Sequence, residues 1–208
     1  MIEIEALITF FVLSVILSLT PGPDILYVFN QSVAKGSKIG VLITLGLCSG
    51  LVVHTLAVAF GLAVIVIQTP LALVLIQYLG VMYLLYLAWG LWCESVAIGT
   101  NNNQSQLNAW GYYRRGVLMN LSNPKVLLFF LAFLPQFVSK NQTAVEIQLV
   151  FLGLLFILAA LLVFISVSLL AQSISSWLST SRIILVRLNQ ITAMIFIVLA
   201  INLLLTDL

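Results

Sequence analysis

Asp24 and Lys125 carry the most chemistry in this sequence and have the least ordinary reason to stand where they do. Each lies inside a long apolar run beside a proline motif: Thr20-Pro21-Gly22-Pro23-Asp24 in one case, Ser122-Asn123-Pro124-Lys125 in the other. A charge within an apolar run is costly and points to function. Two prolines within three residues remove two backbone donors and free the carbonyls one turn upstream, and Gly22 adds freedom. A continuous helix across Thr20–Asp24 is therefore not expected. Asn is a favoured N-cap and Pro a favoured first helical residue, so Asn123-Pro124 reads as the start of a half-helix. Its free N–H groups and partial positive charge would face the break. Counted from the middle of each run, Asp24 lies about 9 Å and Lys125 about 3 Å toward the same end. A lysine side chain bridges that difference. The two charges could neutralise each other or receive a zwitterion between them. The plainer readings are a kink without a ligand and a Lys125 that snorkels to the membrane interface.

Other chemistry is sparse. His54, the single histidine, falls within an apolar run, where it could relay protons or serve as a hydrogen-bonded structural residue. Gly46, Gly50 and Gly61 share one face of that run and read as close helix packing. Cys48 and Cys93 form no metal or redox motif and read as small buried apolar residues. Tyr83, Tyr86, Trp89 and Trp92 read as packing or an interfacial belt. The tripeptides Asn103-Gln104-Ser105 and Asn141-Gln142-Thr143 match a glycosylation pattern too short to carry weight.

The elements that must position these residues follow from composition. The chain has 208 residues, 62% hydrophobic and 7% charged, with net charge +2. Soluble domains are about 25% charged. The natural solvent for this chain is lipid, and at roughly 20 residues per span there is room for about six spans and no soluble domain. Six apolar runs are read: Ala6 to Phe29, Ile39 to Ile67, Leu71 to Trp92, Gly116 to Val138, Ile147 to Ala171 and Ile183 to Leu205. The first is too long for a signal-peptide core and lacks a basic leader, since Glu3 and Glu5 precede it, so it is expected to be a retained helix. Glu94 to Arg115, with Asn101, Asn102 and Asn103, is expected to be the one real loop.

Lys35, Lys38, Arg114, Arg115, Arg182 and Arg187 fall in connections one, three and five, whereas the other side holds only Lys140. The odd connections are therefore expected in the cytoplasm and both termini outside. The two breaks lie 101 residues apart, close to half the chain. Three spans per half would give an inverted repeat, with a site at the interface on discontinuous helices. The expected fold is thus all-α: a single transmembrane domain over 1–208, with halves of about 1–92 and 107–208, a loop at 93–115, and broken helices one and four. Five spans with a re-entrant segment is the alternative.

Thr20-Pro21-Gly22-Pro23-Asp24 resembles the signature of the lysine-exporter (LysE/RhtB-type) family. The glycine-rich second run with His54, and Tyr83-Leu84 and Trp89 in the third, resemble it too. The segment from Asn123-Pro124-Lys125 through Pro135-Gln136-Phe137 is similar to the homoserine/threonine-resistance branch. The resemblance covers most of the chain and weakens after about residue 140. It implies a secondary exporter of amino acids or derivatives in a bacterial inner membrane, driven by the membrane gradient. The basic-amino-acid branch tends to carry an acidic residue shortly after Asn-Pro. Here those positions are Val126, Leu127 and Leu128, which argues for a neutral substrate.

The leading expectation is export of a threonine- or homoserine-like solute coupled to protons, with Pro21, Gly22, Pro23, Asp24, His54, Asn123, Pro124 and Lys125 at the site. No cofactor or metal is expected. The partners are the bilayer and a small amino-acid-like substrate, with a homo-oligomer open and no nucleic acid. No phosphate-cradling loop is present. An intramembrane enzyme would need a nucleophile with its base or a metal cage, for which one histidine and scattered carboxylates are poor material. A channel would need a filter, and an accessory membrane subunit is the remaining rival.

Overall fold

Prolines and glycines set the element ends. The computed structural model describes residues 2–68, 70–93, 107–138, 144–178 and 182–205. Among them are eight α-helices and no strand: α1 (Ile4–Leu19), α2 (Pro23–Lys35), α3 (Ser37–Gln68), α4 (Pro70–Cys93), α5 (Ala109–Leu121), α6 (Pro124–Phe133), α7 (Val145–Leu178) and α8 (Arg182–Leu205). A 3-10 turn, Leu134–Phe137, follows α6. Pro23 and Pro124 each take the first helical position, where a missing N–H costs nothing. Gly36 ends α2 with φ 91, a left-handed conformation that suits glycine. α3 follows at once.

Three helices are each long and apolar enough to cross a membrane, within Ser37–Gly61, Val74–Cys93 and Val145–Ser173. α1 with α2, and α5 with α6, pass the same test as bent pairs, at 59° and 49°. The apolar part of α8, Asn189–Leu205, is shorter than the roughly 20 residues a span needs.

The expected loop needs correction. Residues 109–115 are helical and not loop: α5 begins at Ala109, two turns before the apolar run. Asn108 caps it, its Oδ1 accepting from the Gly111 N–H at 2.8 Å. Tyr112 is buried, and the Tyr113 hydroxyl donates to Ser49 Oγ at 2.8 Å. These tertiary contacts hold a segment that hydropathy alone scores as loop. The rest of the expected loop at 94–106, together with Lys140 and Asn141-Gln142-Thr143, lies outside the described residues.

α3 is the hub, packing on α5 and α7, while α4 pairs with α8 at one flank. The α3–α5 crossing is tight. A Cβ on Gly46 would lie 2.1 Å from the Tyr113 carbonyl oxygen, and one on Gly116 would lie 2.4 Å from the Ile43 carbonyl oxygen. Gly50 meets the Asn120 side chain in the same way. Gly61 is a second correction: among the described residues nothing lies within 4 Å of a Cβ built there. It shares the face but sits more than two turns past Gly50, beyond the end of α5. Cys48 is buried, but Cys93, expected buried, is exposed at the last position of α4. Buried hydroxyls satisfy themselves locally, as when Ser14, Ser32, Thr55 and Ser168 donate to carbonyls four residues back.

Candidate functional site

The two helix breaks meet in the core. Lys125 Nζ lies 3.5 Å from Asp24 Oδ1, and the residues are 6% and 2% exposed. Each charge leans on a helix end as well as on its partner. Asp24 stands in the first turn of α2, where free N–H groups and the helix dipole favour an anion. Lys125 stands in the first turn of α6, where the dipole opposes it. It reaches instead to the C-terminus of α1, donating to the carbonyls of Leu17 and Thr20, each at 3.4 Å. Both lie at the end of α1: the Leu17 carbonyl takes only a long bond from the Thr20 N–H, at 3.3 Å, because Pro21 has no N–H to offer it, and the Thr20 carbonyl lies past the end of the helix. Asn123 caps α6, its Oδ1 accepting from the Lys125 N–H at 3.0 Å.

Gly22 leaves room for this approach. A Cβ there would lie 2.9 Å from Asp24 Oδ1 and 3.1 Å from Lys125 Nζ. The ion pair is longer than the roughly 2.7–2.9 Å of a strong charge-assisted hydrogen bond. It neutralises both charges without locking them.

A narrow cavity beside the pair is lined by Ser18, Asp24, Leu51, Asn120, Lys125 and Phe156, among others. A second, against α4, is lined by Leu17, Gly80, Tyr83, Lys125, Leu128 and Phe129, among others. Each is open to the centre of a water-sized sphere over only about 10 Å³, room for one water and not for an amino acid. The site is occluded in this conformation.

Its two sides are closed differently. Phe10, Phe129, Phe130, Phe133, Phe137 and Phe156 form one aromatic cluster, with ring contacts such as 5.1 Å for Phe10–Phe137 and 5.3 Å for Phe129–Phe156. On the other side Asp24, Tyr27, Gln31 and Lys35 follow helical spacing along one face of α2. They meet α5. Arg115 lies 4.9 Å over the Tyr27 ring, and Lys35 donates to the Tyr112 hydroxyl while lying 5.0 Å from that ring's centre. A polar seam thus runs from the buried pair to a basic end of the bundle. The end of α2 and the start of α5 meet at that end.

The matching family model, LysE type translocator, covers residues 15–207. The chain belongs to the LysE type translocator family. A Vibrio cholerae protein described as an uncharacterized membrane protein is 25% identical over 194 residues, 93% of this chain and 94% of that protein. The homoserine/homoserine lactone efflux protein of Salmonella typhimurium is 29% identical over 165 residues, 79% of this chain and 80% of that protein. The Salmonella typhi protein of the same description is 28% identical over the same length. No solved structure matches the chain.

Within this LysE-type bundle the structure gathers Pro21, Gly22, Pro23, Asp24, Asn123, Pro124 and Lys125 at one point. His54 stands apart from the pair. Its Nε2 lies 3.3 Å from the Asn120 carbonyl oxygen and its ring 6.1 Å from Phe130, and it lines neither cavity. It touches the end of α5 that leads into the second break. Tyr86, Trp89 and Trp92 are exposed on α4, as membrane-facing aromatics would be. Sequence reasoning missed Asn120, a buried polar residue one turn before the break. Its signal was available, since an amide inside an apolar run merits the same question as a charge. The carbonyls of Leu17 and Thr20 carry no side-chain signal at all.

Proposed function

We propose that this chain is a secondary exporter of a neutral amino acid or close derivative, of the threonine, homoserine or homoserine-lactone kind. It works in a bacterial inner membrane and is coupled to the proton gradient. The observation that carries the reading is the Asp24–Lys125 pair, buried where the two breaks meet. An unpaired charge in such a core costs several kcal/mol, roughly. A zwitterion can open the pair without leaving either charge alone: its ammonium replaces Lys125 at Asp24, and its carboxylate replaces Asp24 at Lys125. After release the pair closes again, so the empty carrier also returns without an unpaired buried charge. A solute bearing one uncompensated charge would lack this symmetry, so homoserine lactone, which has no carboxylate, should be exchanged less well than homoserine.

Family membership and the efflux relatives support the direction and class of transport. Val126, Leu127 and Leu128, apolar after Asn-Pro, support a neutral side chain. The architecture in this reading is one transmembrane domain of six spans, with α1–α4 and α5–α8 as inverted halves and both termini outside. The packing supports it, since α3 packs on α5 as α7 packs on α1. The polar seam, with Lys35 and Arg115 together, lies at the cytoplasmic end. Lipid and substrate are the partners; a homo-oligomer is compatible.

Counterflow in proteoliposomes tests this, with purified protein, the common amino acids, homoserine and homoserine lactone. Exchange of neutral zwitterions is expected, with little exchange of lysine, arginine, aspartate or glutamate. Exchange confined to dibasic or acidic amino acids, or none at all, overturns the reading.

A further inference from the structure

Lys125 already uses its full donor capacity. An ammonium has three donors, and Nζ has three oxygens within 3.5 Å: Asp24 Oδ1 and the carbonyls of Leu17 and Thr20. A substrate ammonium entering the same cavity needs acceptors that Lys125 does not occupy. Asp24 can receive the ammonium, but one carboxylate faces at most two of its three tetrahedral donors, so the third needs another acceptor. Asn120 lines that cavity beside Asp24 and Lys125. It is 1% exposed, and its Oδ1 has no hydrogen-bond donor. A buried amide oxygen without a donor is costly, so a fold that keeps one beside a charged cavity stands to recover that cost when a donor arrives. Gly50 keeps the space open, since a Cβ there would lie 2.6 Å from this oxygen.

We infer that Asn120 is a substrate ligand whose Oδ1 accepts a hydrogen bond from the α-ammonium, alongside Asp24. This rests on the zwitterion reading above and adds to it a specificity determinant for the amine. Replacing the amine with a hydroxyl removes the charge and two of the three donors. Asn120 and Asp24 together therefore select amino acids over hydroxy acids of the same skeleton. The role belongs to the side chain alone, since His54 contacts the backbone carbonyl of Asn120, which substitution leaves in place.

The test is counterflow with the full chain in proteoliposomes, using homoserine and its α-hydroxy analogue, 2,4-dihydroxybutanoate, as competitors. Wild type is expected to prefer homoserine at least tenfold. Asn120→Leu removes the acceptor at similar volume. The half-inhibitory concentration of homoserine should rise about tenfold while that of the hydroxy acid stays within twofold. Asn120→Ser, which adds no bulk against Gly50, should show the same selective loss and carries the test if the leucine variant does not fold. Equal weakening of both competitors marks a merely structural residue and overturns the inference, as does an unchanged preference in either variant. Both outcomes leave the zwitterion reading standing. A wild type that exchanges no amino acid overturns that reading and this inference with it.

Discussion

At the first break the backbone loses hydrogen-bonding capacity. Pro21 and Pro23 supply no N–H, Gly22 runs fully extended, and no side chain caps α2. At the second break capacity is added: Asn123 caps α6 and Pro124 opens it with a helical φ. The bends are similar, 59° and 49°. The first leaves carbonyls at the end of α1 able to accept from outside the helix and places a carboxylate beyond them. The second presents a capped helix start and an ammonium. Each break thus provides what the other lacks. Lys125, ill-placed at its own helix start, is held by the carbonyls at the end of α1, where the opposite prolines end the helix. Two identical breaks would bring like ends and like charges together, and the core would not close around them.

Three sets of substitutions probe that contrast. The largest effect is expected from removing either charge. Taking one member from a buried pair costs about 3–5 kcal/mol where nothing else compensates. Here Asp24 keeps the start of α2 and Lys125 keeps the end of α1, so Asp24→Asn and Lys125→Met should still insert. Counterflow should fall about 100-fold or more in each. Wild-type exchange by either would remove the charges from the mechanism.

Next come the prolines. Replacing Pro21 and Pro23 together by Ala restores two donors and lets α1 run on, so the Leu17 and Thr20 carbonyls would bond the helix's own N–H groups instead of Lys125. Transport is expected to fall about tenfold, with expression little changed, since the lost N–H groups return. Pro124→Ala alters a position that needs no N–H and should change transport less than threefold. Equal losses at the two breaks would contradict the asymmetry.

The smallest effect concerns the cap. Asn123→Ala should cost about 1 kcal/mol, read as a melting temperature lower by a few degrees in detergent. Thr20→Val removes only a local bond from Oγ1 to the Ile16 carbonyl at 2.9 Å and should cost less. The reverse order would show that the first break, not the second, depends on side-chain capping.

Much of this was readable in advance because proline chemistry is local. Pro21-Gly22-Pro23 and Asn123-Pro124 announce their breaks without help from tertiary structure, and the apolar runs announce α3, α4 and α7 to within a few residues. The start of α5 was not readable. Tyr112, Tyr113 and Arg115 are polar by hydropathy and are held by partners on α2 and α3 far away in sequence. Gly46, Gly50 and Gly61 look alike along one helical face, yet the face is covered only as far as α5 extends. Asp24 and Lys125 stood out by type. Asn120 did not, because an amide disturbs an apolar run less than a charge does. The carbonyls holding Lys125 belong to no particular side chain, so only the folded backbone reveals them.

The most direct test of the pair as a substrate site is homoserine counterflow by the double variant Asp24→Asn with Lys125→Met, beside both single variants and wild type at matched reconstitution. The double variant has no buried charge to leave unpaired, and its melting temperature should approach that of wild type. Its exchange is nevertheless expected to stay as low as in the single variants, because neither end of the zwitterion finds its partner. Recovery of exchange in the double variant would contradict this and leave Asp24 and Lys125 as a structural ion pair.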